Sequence, residues 1–191
     1  MRLFVALAIP SAVRTHLAAL TTDLRALESK SPAKKPRWTR SENLHVTLKF
    51  IGNVVPEKRD EIRTSLTRVR SERPVELRFR GLGFFPDAKR PRVVWAGVTG
   101  SPNLEVIAAD IERALAGLGI PSERRAFRPH LTLARSEPGA FSPQLRAAIE
   151  KNAARDLGAF CTNQFHLIES QLKPTGAEYT TLQSFVFSAE G

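Results

Sequence analysis

The sequence predicts an α+β fold of two duplicated β-α-β-α-β lobes, with antiparallel sheets facing a central cleft and helices on the outside. Three observations carry that prediction. Apolar runs of strand length alternate with stretches of helical periodicity along the whole chain. The order of these elements repeats, the first strand of each set starting at Arg2 and Arg92, 92 − 2 = 90 positions apart. A pattern in the middle strand of the first set, His45-Val46-Thr47-Leu48, returns in the second as His130-Leu131-Thr132-Leu133. The chain 1–191 thus reads as a single bilobal domain with pseudo-symmetric halves at about 1–90 and 91–191, between which strands can exchange.

Residues 2–9 form the first strand, because Leu3-Phe4-Val5-Ala6-Leu7-Ala8-Ile9 is an apolar run ended by Pro10. The run has the outline of a short signal peptide, but its brevity and the amphipathic helix after it fit a buried strand better. Residues 11–28 place Val13, Leu17, Leu20, Leu24 and Leu27 on one helical face. A basic, proline-broken loop follows at 30–36, and then a strand at 44–51 ending at Gly52-Asn53. Pro56 opens a helix at about 56–70, with Ile62, Leu66 and Val69 inward. A strand over 75–82 closes the first set, loosened by Gly81 and Gly83. The second set runs through a strand at 92–98, a helix at about 102–118 and a strand at 130–135. Ser142 as N-cap and Pro143 as first residue then open another helix. Strands at about 163–172 and 179–187 finish the chain.

Composition narrows the function classes. Lys plus Arg number 29 against 19 Asp plus Glu, a net charge of +10. That surplus points to a polyanionic partner, RNA or DNA ahead of a membrane. Hydrophobic residues at 42% and charged residues at 25% are ordinary globular usage, which argues against disorder. The single cysteine, Cys161, excludes an intrachain disulfide and a structural Cys-based zinc site. It fits a reducing, cytoplasmic setting. No stretch approaches the roughly 18 apolar residues of a membrane span. The expectation is a soluble cytoplasmic monomer.

The repeated motif carries the chemistry. Side chains alternate along a strand, so His45 and Thr47 share one face, as do His130 and Thr132, while Val46, Leu48, Leu131 and Leu133 point to the core. A lone strand histidine is usually structural; two in equivalent places of a repeat, each followed by Thr, are not explained that way. One imidazole can take a proton from a nucleophile while the other, protonated, donates to a leaving oxygen. The threonine hydroxyls can donate to oxygens that gain charge in the transition state. A phosphodiester is the natural centre for such a pair in basic surroundings. His16 and His166 lack this context and read as structural.

These motifs resemble the signature of the 2H phosphoesterase superfamily, two H-x-T-x elements, and within it the family of RNA 2′,3′-cyclic phosphodiesterases, also called 2′-5′ RNA ligases. The resemblance extends over Arg2-Leu3-Phe4-Val5-Ala6, Asn43-Leu44-His45-Val46-Thr47-Leu48-Lys49-Phe50-Ile51-Gly52, Gly83-Phe84-Phe85-Pro86, Pro91-Arg92-Val93-Val94-Trp95-Ala96-Gly97, Arg128-Pro129-His130-Leu131-Thr132-Leu133-Ala134-Arg135 and Glu169-Ser170. It implies hydrolysis of an RNA 2′,3′-cyclic phosphate end to a 2′-phosphate, with no metal and no cofactor. It implies His45 as proton donor to the departing 3′-oxygen and His130 as the acceptor that activates water. It also implies joining or cleaving of 2′-5′ linkages in tRNA fragments, without ATP. No K-x-D-G adenylation motif is present.

The same resemblance assigns phosphate or nucleotide contacts to Arg135 and Phe50. Each lies five positions after its histidine, so ideal alternation turns it away from the cleft unless the strand bulges or ends. Lys49 shares the His45 face by alternation and is expected to line the cleft. Trp38 and Arg40 are candidates to stack on or steer RNA, with an anchoring role for Trp38 equally open. The Lys34-Lys35-Pro36-Arg37 run reads as a solvated loop. Two other readings stand beside the main one: a phosphodiesterase acting on a small cyclic nucleotide of ADP-ribose type, and a non-catalytic RNA-binding module. The module would not require two His-x-Thr pairs. A metallohydrolase would need further ligands near the histidines, and resistance to EDTA separates it from metal-free catalysis.

Overall fold

The computed structural model describes residues 1–28, 35–138, 140–174 and 176–187. Lys30 to Lys34 of the expected basic loop lie outside them. The strands are β1 (Arg2–Ala8), β2 (Arg37–Trp38), β3 (His45–Asn53), β4 (Val75–Phe85), β5 (Val93–Gly100), β6 (His130–Arg135), β7 (Asp156–Thr162), β8 (Gln164–Lys173) and β9 (Gly176–Val186). The helices are α1 (Ser11–Arg25), α2 (Lys58–Leu66), α3 (Asn103–Ala116) and α4 (Pro143–Lys151). A short 3-10 turn at Ser41–Asn43 leads into β3.

All strand pairs are antiparallel, in the order β7-β4-β5-β6-β3-β1-β8-β9, with β2 added to β6. The two spatial halves are β7-β4-β5-β6 and β3-β1-β8-β9. Strand β4 therefore sits with the strands that follow it, because residues 86–92 connect it to β5 as a hairpin partner. In return β8 and β9 from the chain's end complete the half begun by β1 and β3. Between the halves, β3 and β6 share a single bridge, Val46 with Leu131. Only Asn163 separates β7 from β8, although they lie six strands apart in the sheet. At about 4.8 Å per strand a flat sheet would part them by roughly 29 Å, so the sheet must curl, and its open faces flank a central cleft.

The opposite face is covered by the helices. Val13, Leu17, Leu20 and Leu24 of α1 and Leu104, Ile107, Ile111 and Leu115 of α3 are buried, as the 3.6-residue spacing requires. They meet Leu3, Val5 and Leu7 of β1, Val46 and Leu48 of β3, Leu77 and Phe79 of β4, and Leu131 and Leu133 of β6 in one continuous core. Each such buried side chain contributes about 1.5–3 kcal/mol relative to exposure. At α4 the expected cap is present: Ser142 Oγ accepts from Leu145 N–H at 3.1 Å and donates to the Leu27 carbonyl at 2.6 Å. A cap of this kind contributes about 1 kcal/mol. No helix among the described residues is long and apolar enough to cross a membrane.

Two strands escape sequence reading. Strand β7 pairs on one side only, and Leu157 is its one buried side chain, so it carries no apolar alternation. Strand β2 is two residues long. Helix α2 spans nine residues, shorter than the expected 56–70, with turns at either end.

Candidate active site

Both histidine motifs depart from ideal strand geometry at the same step. In β3, Thr47 stands opposite Ala6 and Lys49 opposite Val5, which leaves Leu48 as an extra residue. In β6, Thr132 stands opposite Trp95 and Ala134 opposite Val94, which leaves Leu133 extra. Each is a β-bulge, and a bulge reverses the facing of every residue beyond it. The side chains at the third and fourth positions after each histidine, Leu48 with Lys49 and Leu133 with Ala134, are accordingly all buried. The fifth, Phe50 and Arg135, turn out to the open face; Phe50 is 56% exposed. Phe50 lies 6.2 Å from Phe4, whose ring is 4.8 Å from that of His45.

The same bulge corrects the expectation for Lys49. It does not share the His45 face. Its side chain is buried on the helix side, 4% exposed, with Nζ 2.8 Å from Glu112 of α3 and 2.7 Å from the Pro121 carbonyl. Trp38 is likewise placed away from the cleft. It pairs with Ala134, packs against the core and donates its indole N–H to Glu28, so its ring anchors β2 and is not free to stack on RNA. Arg40 is exposed, its guanidinium beside Gly176 at the start of β9.

The two imidazoles are held alike. His45 Nδ1 lies 2.7 Å from the Asn43 carbonyl and His130 Nδ1 lies 2.8 Å from the Arg128 carbonyl, each two residues back. A carbonyl can only accept, so Nδ1 carries the proton in both and Nε2 is left for the cleft. Local sequence sets this up. Pro129 restricts Arg128 to extended backbone. Asn43 ends the 3-10 turn and its amide donates to the Ala177 carbonyl of β9 at 2.8 Å.

Burial lowers the pKa of His45, against an opposing lift from its bond to Asn43; Arg135 and then His130 lower it further. Burial also lowers His130, again opposed by its backbone bond, with Arg135 adding to the depression. Arg135 thus acts electrostatically on both imidazoles and on Tyr179, so its charge lies near all three. Thr47 and Thr132 share the partly open face of their histidines.

The surrounding aromatic residues were not singled out by sequence. Phe4 and Tyr179 flank His45, the latter edge-on at 5.4 Å, while Phe85 meets His130 edge-on at 4.9 Å and Trp95 stands behind Phe85 at 5.3 Å. Phe4 sits in a run that is apolar at every position, so no alternation marks its face. Phe4, Ala6 and Ile168, with Tyr179 against them, form a small apolar cluster separate from the main core. His166 is bonded through Nδ1 to Ser184 Oγ at 2.8 Å. Among the described residues no three His, Cys, Asp or Glu side chains gather closely enough to share a metal ion.

On the helix side Arg59 and Arg63 meet Asp60, and Arg113 meets Asp110. Arg128 and Arg135 have no carboxylate partner among the described residues.

Comparison with known proteins agrees with this architecture. The family model of the 2′-5′ RNA ligase superfamily matches residues 9–173. An RNA 2′,3′-cyclic phosphodiesterase of Aeropyrum pernix is 36% identical over 81% of this chain and 88% of its own length. One from Methanocaldococcus jannaschii is 32% identical over 97% of this chain and 100% of its own. A crystal structure from Thermus thermophilus superposes with a TM-score of 0.75 at 29% identity, covering 98% of each chain.

Proposed function

The chain belongs to the 2′-5′ RNA ligase superfamily, and from that premise we propose that it hydrolyses RNA 2′,3′-cyclic phosphate ends to 2′-phosphates by acid–base catalysis between His45 and His130. The observation that carries this reading is the matched tethering of the two imidazoles, Nδ1 to a backbone carbonyl in each, about the Val46–Leu131 bridge. Both relatives named above are called RNA 2′,3′-cyclic phosphodiesterases. The two sequence halves, about 1–90 and 91–191, act as one site, since each supplies one histidine.

In this scheme the cyclic phosphate lies between the motifs, its charge met by Arg135, whose guanidinium suits phosphate geometry. His130 Nε2 takes a proton from water as the water oxygen bonds to phosphorus. The bond from phosphorus to the 3′-oxygen breaks, and His45 Nε2 gives that oxygen a proton. The 2′-ester survives, so the product carries a 2′-phosphate and a 3′-hydroxyl. The phosphate anion raises the pKa of the imidazole nearest it, offsetting the depression by burial and Arg135 and supplying the acid form. Thr47 and Thr132 donate to the non-bridging oxygens as charge builds on them, and Phe50 stacks on a base of the RNA. His45 is the more deeply enclosed of the pair, which suits it to the side where the ribose packs and His130 to the side where water enters.

End-group analysis of a short RNA ending in 2′,3′-cyclic phosphate tests the reading. The expected product is a 2′-phosphate. A 3′-phosphate would show that the other ring oxygen leaves, and an untouched substrate would contradict the proposal.

A further inference from the structure

The open face of the β3-β1-β8-β9 half is laid out in two lanes that run across its strands. One is apolar: Phe50 of β3 stands opposite Phe4 of β1, which stands opposite Ile168 of β8. The next is polar at its ends: Thr47 stands opposite Ala6, Ala6 opposite His166, and His166 opposite Ser184 of β9. Cross-strand partners share a face, and Phe4, Ala6 and Ile168 form the small apolar cluster outside the main core. His166 lies between Phe165 and Leu167, both buried in the main core, so its ring is on the cleft side. Neither the proton transfers nor the packing of the core uses it.

His166 and Ser184 make a polar pair, with Nδ1 2.8 Å from Oγ. A hydroxyl both donates and accepts; when Ser184 donates to Nδ1, the ring proton sits on Nε2, turned away from the serine. Burial lowers the pKa of this ring, so it is neutral at pH 7 with one N–H to give. No carboxylate on β8 opposes an anion here, because Glu169 stands opposite Leu3 on the core side. Thr47 and His166 are two strands apart, roughly 10 Å at about 4.8 Å per strand. With both side chains reaching inward, that is the span of one nucleotide.

An RNA chain carries the same two lanes, stacking bases along one side and phosphates along the other. We propose that His166 and Ser184 form a subsite for the phosphodiester on the 5′ side of the terminal nucleotide. The proposal rests on the reading that places the cyclic phosphate between His45 and His130, with the terminal base on Phe50. From there the chain leaves across β1 toward β8 and β9. His166 Nε2–H donates to a non-bridging oxygen of that phosphodiester, and Ser184 holds the ring in the donating tautomer. The subsite makes a chain a better substrate than a single nucleotide.

The test compares two substrates. A mononucleoside 2′,3′-cyclic phosphate lacks this phosphodiester, and a dinucleotide ending in a cyclic phosphate has it. In the unaltered protein kcat/KM should be higher for the dinucleotide. His166→Ala should lower that preference about fivefold, the size of one neutral hydrogen bond. Ser184→Ala changes an exposed side chain and keeps the ring; it should lower the preference about threefold by releasing the tautomer. The preference is a ratio, so a loss of folded protein cancels from it. No preference in the unaltered protein, or a preference that either variant leaves unchanged, would overturn the subsite and leave the hydrolytic reading intact. If neither substrate turns over, the hydrolytic reading fails and calorimetry decides the subsite. A dinucleotide ending in a 2′-phosphate should then bind His166→Ala about fivefold more weakly than the unaltered protein, and equal binding would overturn the proposal.

Discussion

Counting from the histidine, the fifth residue is Phe50 in one half of the sheet and Arg135 in the other, and both reach the cleft through the same bulge. The fourth residue is Lys49 in one and Ala134 in the other, both turned into the protein. The halves thus share a backbone device and an imidazole tether while carrying different chemistry on it. Such a division is informative about constraint. Proton transfer needs two similar groups poised on opposite sides of one atom, and the repeat keeps them similar. In the proposed scheme, substrate grip takes an anion contact from Arg135 on one side and a base contact from Phe50 on the other, and there the repeat diverges. The buried position also diverges, because α3 offers Glu112 to Lys49, while apolar packing suffices for Ala134.

The sharpest way to break the comparison is to remove the shared element. His45→Ala and His130→Ala should each lower kcat on a cyclic-phosphate RNA by about 10²–10⁴, or roughly 3–5 kcal/mol of barrier. Near-normal turnover in either variant would mean that the motifs do not act as a pair. The divergent positions should respond less and differently. Arg135→Ala should lower kcat/KM by about 10–100-fold, in line with about 1.5–3 kcal/mol for a charged hydrogen bond. It should also move the pH profile in a defined direction. Both imidazoles lie below the ordinary histidine value, so the maximum of the bell-shaped kcat/KM curve belongs on the acid side of it. Arg135 helps to hold them there, and its removal raises both pKa values and carries the maximum to higher pH. A profile that stays in place would contradict the placement of its charge. Phe50→Ala should raise KM by about fivefold, roughly 1 kcal/mol from one exposed stacking contact, with kcat little changed. Lys49→Met should change kcat by less than about threefold, under roughly 1 kcal/mol, because the side chain faces α3. A hundredfold loss there would place Lys49 in the reaction after all.

Much of this was legible before the structure. The alternation of His45 with Val46 and of His130 with Leu131 states which face each imidazole takes, and helical spacing in α1 and α3 states which face they bury. The curl of the sheet, and which strands the halves exchange (β4 against β8 and β9), were not legible, since strand order depends on pairings between distant segments. Nor was the facing of Lys49, Phe50 and Arg135. Alternation has a period of two, and one extra residue inverts everything downstream. A bulge leaves no local mark in Leu48-Lys49 or Leu133-Ala134 beyond the repeat itself. That Phe50 and Arg135 stand at the same step of the repeat was the available clue that one irregularity serves both.

The central claim is that two similar histidines hold opposite proton roles. A cyclic substrate with sulfur in place of the 3′-oxygen tests it most directly, because a thiolate departs without being protonated. His45→Ala should recover most of its lost rate on that substrate, whereas His130→Ala should stay as impaired as on the natural one. Equal recovery in both variants, recovery in neither, or recovery confined to His130→Ala would contradict the account.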